Sequence, residues 1–201
     1  MFGWFKKSRS ASIEDTIASL AEAGFRCKST VAQQSVINEV AGSKESFAKS
    51  TEGILCIMGD KQLDPETFEP MPWLSDDVWH FDYEAIEDHG AYKPIVENCM
   101  RISGESLKLN DVGDYVDIEG QQAWIEFMRG GHKQRIELEV DNDWADPRLF
   151  VMLNGILEED GSEKRFAQHD LGQDCLIICR TASGIAKANK LFGLKFHQVE
   201  G

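Results

Sequence analysis

Two adjacent glycines constrain this chain more than any other pair of residues. Gly130 and Gly131 separate "QAWIEFMR" from "HKQRIELEV", two runs that read as strands. Both glycines accept positive φ, so the pair closes a tight β-hairpin. In the second run Ile136, Leu138 and Val140 alternate with Arg135, Glu137 and Glu139. That alternation predicts one buried and one wet face. The strand around Trp124 is apolar on both sides and reads as central. With "SLKLN" and "DYVDIEG" upstream, four strands are expected in a meander.

Helices frame this meander. "AYKPIVENCMRISG" reads as a helix ended by Gly104, with Pro94 tolerable only in its first turn. After the meander come a helix to about Glu159, strands "KRFAQHD" and "DCLIICR", a helix from about Ala182 and a short strand "LKFHQ". From Ala91 the order is α-ββββ-α-ββ-α-β. The fold class expected is therefore α+β, an antiparallel β-meander sheet packed with helices.

The first 75 residues read differently, as a mostly helical subregion (1–75) ahead of the sheet domain (76–201). "SIEDTIASLAEAGF" has Ser12 as N-cap, Asp15 at the third helical position and Gly24 as its stop. "STVAQQSVINEVAG" offers a second helix with Val31, Ile37 and Val40 inward, and "SKESFAKS" a short third. "GILCIMGD", a short apolar run between glycines, reads as a buried strand. "KQLDPETFEPMPWLSDD", with Pro65, Pro70 and Pro72, is expected to be irregular and exposed.

Charge then narrows the function classes. The chain carries 21 basic and 35 acidic residues, a formal net charge of -14. Such a surface repels nucleic acid and anionic membranes and steers basic proteins or cations inward. Up to Ser50 the basic side chains (Lys6, Lys7, Arg9, Arg26, Lys28, Lys44, Lys49) slightly outnumber the acids. From Asp60 to Glu97, Lys61 and Lys93 are the only lysines or arginines. The acidic face is thus the middle of the chain, with aromatics interleaved. The opening "MFGWFKKSRS" lacks a signal-peptide core and is too short to anchor alone, so a frayed terminus is expected. Five cysteines without framework spacing read as reduced thiols in a cytoplasmic protein.

Few constellations carry chemistry. Cys175 and Cys179 lie on one strand face, roughly 13 Å apart, too far to share one zinc ion. "WHFDYEAIEDHG" is the one candidate metal cluster: His80, Asp82, Glu84, Asp88 and His89 could serve a metal-dependent hydrolase if the chain folded back. An acidic solvent face is the preferred reading, with no cofactor. No P-loop, dinucleotide fingerprint, G-x-S-x-G or H-E-x-x-H occurs, so an enzyme is the less favoured class. "EVDNDWADPRLF" fails the calcium-loop template: Ala145, Asp146 and Met152 fill its fifth, sixth and twelfth places. It reads instead as a strand end, an Asp146-Pro147 helix start and a corner tryptophan, Trp144, packed in the core.

The expected function is an acidic cytosolic protein-binding module, of the immunity or inhibitor type that neutralises a basic toxin such as a nuclease. Its partner-binding set would be Trp73, Asp76, Asp77, Trp79, Asp82, Glu84, Glu87 and Asp88: carboxylates to steer, tryptophans to anchor. The element order also resembles that of small acidic bacterial secretion chaperones (α-βββ-α-ββ-α), with one strand extra. That resemblance covers roughly half the chain, shares no motif and implies capture of an extended client.

Overall fold

The structure, a computed structural model, describes residues 12–199; the opening "MFGWFKKSRS" lies outside them. The chain is α+β, with two antiparallel sheets where one meander was expected. Three N-terminal helices come first: α1 (Ile13–Glu22), α2 (Thr30–Gly42) and α3 (Thr51–Gly59), with a 3-10 turn at Phe47–Lys49 before α3. Strand β1 (Trp79–Asp82) precedes α4 (Tyr92–Ser103), then the meander β2 (Asn110–Asp117), β3 (Gln122–Arg129) and β4 (His132–Leu138). Helix α5 (Arg148–Glu159), β5 (Lys164–Asp170), β6 (Asp174–Thr181), α6 (Ala182–Phe192) and β7 (His197–Gln198) complete it.

Local chemistry explains the helix ends. Ser12 Oγ accepts the Asp15 amide at 3.1 Å while Asp15 accepts the Ser12 amide at 3.2 Å, a full capping box. Gly24, at φ +96, ends α1 as expected. In α2 the buried face is Ala32, Val36 and Val40; Val40 is buried as expected and Ile37 partly so, whereas Val31, expected inward, is 74% exposed.

Two elements differ from expectation. "GILCIMG" is not a strand but helix α3, capped by Ser50 Oγ on the Gly53 amide (3.0 Å). Every residue from Gly53 to Gly59 is buried, so the run shows no amphipathic period to separate helix from strand. "SLKLN" is not a separate strand either: Leu107 and Leu109 plug the core, and Asn110 opens β2 through a bulge with Asp111 at φ 50. From α4 the order is thus α-βββ-α-ββ-α-β.

The first sheet, ordered β1-β6-β5-β7, is covered on both faces. Leu176 and Ile178 of β6 join α1, α2, α3 and α6 in one core. Cys175, Ile177 and Cys179 join α4, α5 and the sheet β2-β3-β4 in the other. The N-terminal helices therefore share a core with the strands of the sheet domain. Arg180 ties the two further: it donates to the carbonyls of Ala23 (3.1 Å) and Gly24 (2.5 Å), stacks over Phe25 and lies 3.7 Å from Asp77. No helix of the described residues is long and apolar enough to cross a membrane.

Candidate functional site

The expected partner-binding residues fall into three separate places. Trp73 is half-buried beneath two cations, with Arg101 3.8 Å and Lys61 4.8 Å from its ring. Asp76 pairs with Lys28 at 2.8 Å and lies 3.5 Å from Arg101. Asp77 accepts the Arg26 amide at 2.8 Å. These two acids are largely spent on the chain itself. Trp79 is 6% exposed, packed 4.5 Å from Phe81, so it is a core residue and not a surface anchor. Asp82 and Glu84 stay exposed at the edge of the first sheet and both accept from Gln173 Nε2, at 3.1 and 2.8 Å. Glu87 and Asp88 sit on the exposed loop before α4, where Asp88 accepts the His89 amide at 2.7 Å.

The candidate metal cluster does not assemble. His80 meets acids from outside the expected cluster, with Nδ1 3.4 Å from Asp60 and Nε2 3.5 Å from Asp174. These acids hold opposite edges of the ring, so they cannot share one ion with it. Asp82 and Glu84 turn to Gln173, and His89 packs on Tyr115 at 4.6 Å. Among the described residues no group of three or more His, Cys, Asp or Glu could hold a metal ion. The geometry for the hydrolase reading is absent from this cluster. Cys175 and Cys179 are likewise buried thiols on one face of β6.

A different site is built from "EVDNDWADPRLF". After β4 the chain makes a tight turn from Asp141 to Trp144, closed by the Trp144 amide on the Asp141 carbonyl (3.0 Å) with Asn142 at φ 52. Trp144 then bridges to Glu84, and the Ala145 amide donates to the Tyr83 carbonyl at 2.8 Å. This clamps the turn beside the end of β1. Trp144 is 38% exposed, not buried as expected, and stacks on Tyr83. Tyr83 is wedged edge-on against Phe81 and Phe150, and its hydroxyl donates to Gln168 Oε1 at 2.7 Å. Burial pushes its phenol well above the usual range, so it is a neutral donor.

These residues line a cleft of about 480 Å3, walled by Tyr83 and Trp144 and ringed by Glu139, Asp141, Asp146 and Asp170. The acids differ in role. Asp146, 5% exposed, accepts from the amides of Glu139 (2.7 Å) and Arg148 (2.9 Å) and from the Arg148 guanidinium (2.7 Å). Helix α5 opens one residue later than expected, with Pro147 at the N-cap position and Arg148 first in the helix; Asp146, just before it, joins the end of β4 to the first turn. Glu139 shares Arg148 at 3.4 Å. No lysine or arginine of the described residues pairs with Asp141 or Asp170. The cleft is therefore an aromatic floor under net negative charge, suited to a cationic side chain.

Sequence reasoning reached Trp144 and the surrounding acids but assigned the tryptophan to the core. The missed partners are Tyr83, which follows β1, and Gln168 and Asp170 of β5, and no local pattern joins them to the turn. Comparison with known proteins brings no match: no family model fits the chain, and no curated protein and no solved structure matches it.

Proposed function

We propose that the protein is a binding module that captures a basic protein partner, with an arginine or lysine side chain of that partner entering the Tyr83–Trp144 cleft. The observation that carries this reading is the aromatic cleft ringed by carboxylates, two of which, Asp141 and Asp170, pair with no lysine or arginine of the described residues. A cation over an aromatic face contributes about 0.5–1 kcal/mol when exposed and about 2 kcal/mol when desolvated. Asp82 and Glu84, exposed beside the cleft, extend the field that steers such a partner. The finer form of the reading is an inhibitor of a cationic toxin such as a nuclease, acting in the cytoplasm.

The test is calorimetric titration with arginine-rich, lysine-rich and glutamate-rich peptides at low and high salt. Saturable binding of the cationic peptides, weakened by salt and by the double variant Asp141→Asn/Asp170→Asn, is expected. Equal binding of the glutamate peptide, or affinity unchanged in the double variant, would refute the cleft as the capture site. Inhibition of a basic toxin encoded beside this gene tests the finer form. The secretion-chaperone reading keeps one support, the order α-βββ-α-ββ-α from α4 onward. It would be favoured by binding of extended peptides irrespective of their charge.

A further inference from the structure

The segment between α3 and β1 contains a small, tightly bonded finger. The Asp64 amide donates to the Glu69 carbonyl at 2.9 Å, the Phe68 amide to the Asp64 carbonyl at 2.8 Å, and the Met71 amide to the Gln62 carbonyl at 2.9 Å. Asp64 Oδ1 accepts from the amides of Glu66 (2.9 Å) and Thr67 (2.8 Å), and Gln62 donates at its base to Glu39 of α2. Phe68, near the tip, violates two preferences at once. Its φ is 57, a conformation that favours glycine, and it is 74% exposed, where a polar residue costs nothing. A strained, solvent-facing aromatic on a rigid loop calls for an occupant of opposite shape.

That shape lies next to the finger in the chain. A groove of about 220 Å3, almost wholly apolar, is lined by Val31, Ala32, Met71, Pro72, Trp73 and Leu74. Apolar cavities of about 150 Å3 already take up benzene, so a benzyl side chain fits. Met71 closes the finger and opens the groove. Among the described residues, the two most exposed large hydrophobic side chains are Phe68 and Val31, each at 74%. One belongs to the finger and the other to the groove rim.

Charge agrees with the match. The finger carries Glu66 and Glu69 beside Phe68, whereas the groove rim carries Lys28 (also paired with Asp76) and the N-terminus of α2. The first turn of α2 holds no acidic residue, so its positive end is uncompensated. A lysine and a helix N-terminus facing two glutamates lessen the repulsion between two copies that each carry a net charge of -14.

We propose that the protein self-associates through a two-fold contact in which Phe68 of each copy enters the apolar groove of the other. Knob and hole lie on adjacent segments of one chain, so a two-fold arrangement lets each knob fill the other copy's hole and closes at two copies, whereas a head-to-tail arrangement leaves one knob and one hole unfilled. The contact uses none of the cleft residues and does not depend on the binding reading above.

Sedimentation velocity across a wide concentration range tests it. A concentration-dependent dimer is expected for the wild type, and monomers for Phe68→Asp and for Val31→Asp. Mixing the two variants restores a weaker dimer, because one copy keeps its groove and the other its finger. Phe68→Gly removes the knob and relieves the backbone. It is expected to be monomeric with Tm raised by roughly 2–4 °C, which separates lost contact from lost fold. A wild type that stays monomeric at its highest soluble concentration overturns the proposal, and so does a dimer that survives either aspartate variant.

Discussion

Tyr83 and Trp144 lie with ring planes 14° apart and centroids at 6.5 Å, although sixty-one positions separate them in the chain. The inner ring is fixed by its bond to Gln168, while the outer one keeps a face toward solvent. Trp144→Ala therefore removes a surface floor and little core. Its expected effect on stability is below about 1 kcal/mol. Affinity for a cationic peptide should fall about 2- to 30-fold, the equivalent of about 0.5–2 kcal/mol. Thermal melts and titrations on the same preparation check both numbers. A large loss of stability with unchanged affinity would return Trp144 to a purely structural role.

Asp146 has a different job from its neighbours in the same stretch. Burial opposes its ionisation, but the Arg148 guanidinium and the amides of Glu139 and Arg148 outweigh that and hold the carboxyl below the usual range. Asp146→Ala strands those amides and should cost about 1–3 kcal/mol. A group with a depressed folded pKa stabilises above its unfolded value of about 3.9, and the gain is lost as pH falls through the folded value. Stability measured from pH 6 down to pH 2 should accordingly fall more steeply in the wild type than in Asp146→Asn.

His80 carries the opposite sign. The hydrogen bond to Asp60 raises its pKa; burial works against this, and attraction to Asp60 and Asp174 adds to it. A raised histidine stabilises below its unfolded value near 6.5, and that stabilisation disappears as pH climbs through the folded value. His80→Gln should lower Tm at pH 5.5 and leave it nearly unchanged at pH 9. Equal losses at both pH values would show that packing, not charge, makes His80 matter.

The cysteines should be chemically quiet. Burial pushes the Cys56 and Cys179 thiols up to about 12 and lifts Cys99 and Cys175 as well. Only Cys27 is partly exposed, and even its pKa is raised. Thiolate is the reactive form. Iodoacetamide at pH 8 should label Cys27 slowly and the other four only after unfolding, a pattern that peptide mass spectrometry resolves. Rapid native labelling of Cys175 or Cys179 would mean that β6 opens.

Local rules made much of this fold legible. The Ser12–Asp15 box, the Gly130–Gly131 turn and the alternation of Ile136 and Leu138 with Arg135 and Glu137 each depend on residues a few positions apart. Where the structure departs from expectation, a distant partner decides. Trp79 is buried because β1 runs beside β6, pairing it with Ile177. The cleft exists because Glu84 bridges to Trp144 and Tyr83 reaches Gln168. No periodicity encodes those meetings. Acidity was readable as charge, but not which acids pair with cations of the chain: Asp76 and Asp146 do, whereas Asp141 and Asp170 pair with no lysine or arginine of the described residues.

Helix α3 shows the same limit in a form that mutation can measure. Gly53 and Gly59 bracket "ILCIM" and read locally as the turn signals around a strand. In the fold they are contact points. A Cβ on Gly53 would lie 2.7 Å from the Ala48 Cα, and one on Gly59 would lie 2.6 Å from the His80 amide nitrogen. Gly155, inside α5, has nothing within 4 Å of the same position. Replacing a helical glycine by alanine ordinarily gains about 0.5–1 kcal/mol, and Gly155→Ala should do so. At Gly53 and Gly59 the neighbours are backbone, which cannot swing aside like a side chain. Gly53→Ala and Gly59→Ala should instead cost about 1–3 kcal/mol, as overpacked cores do. Urea denaturation of the three variants thus reads one substitution with two signs. A gain at Gly59 would mean that α3 does not lie against β1 as closely as described.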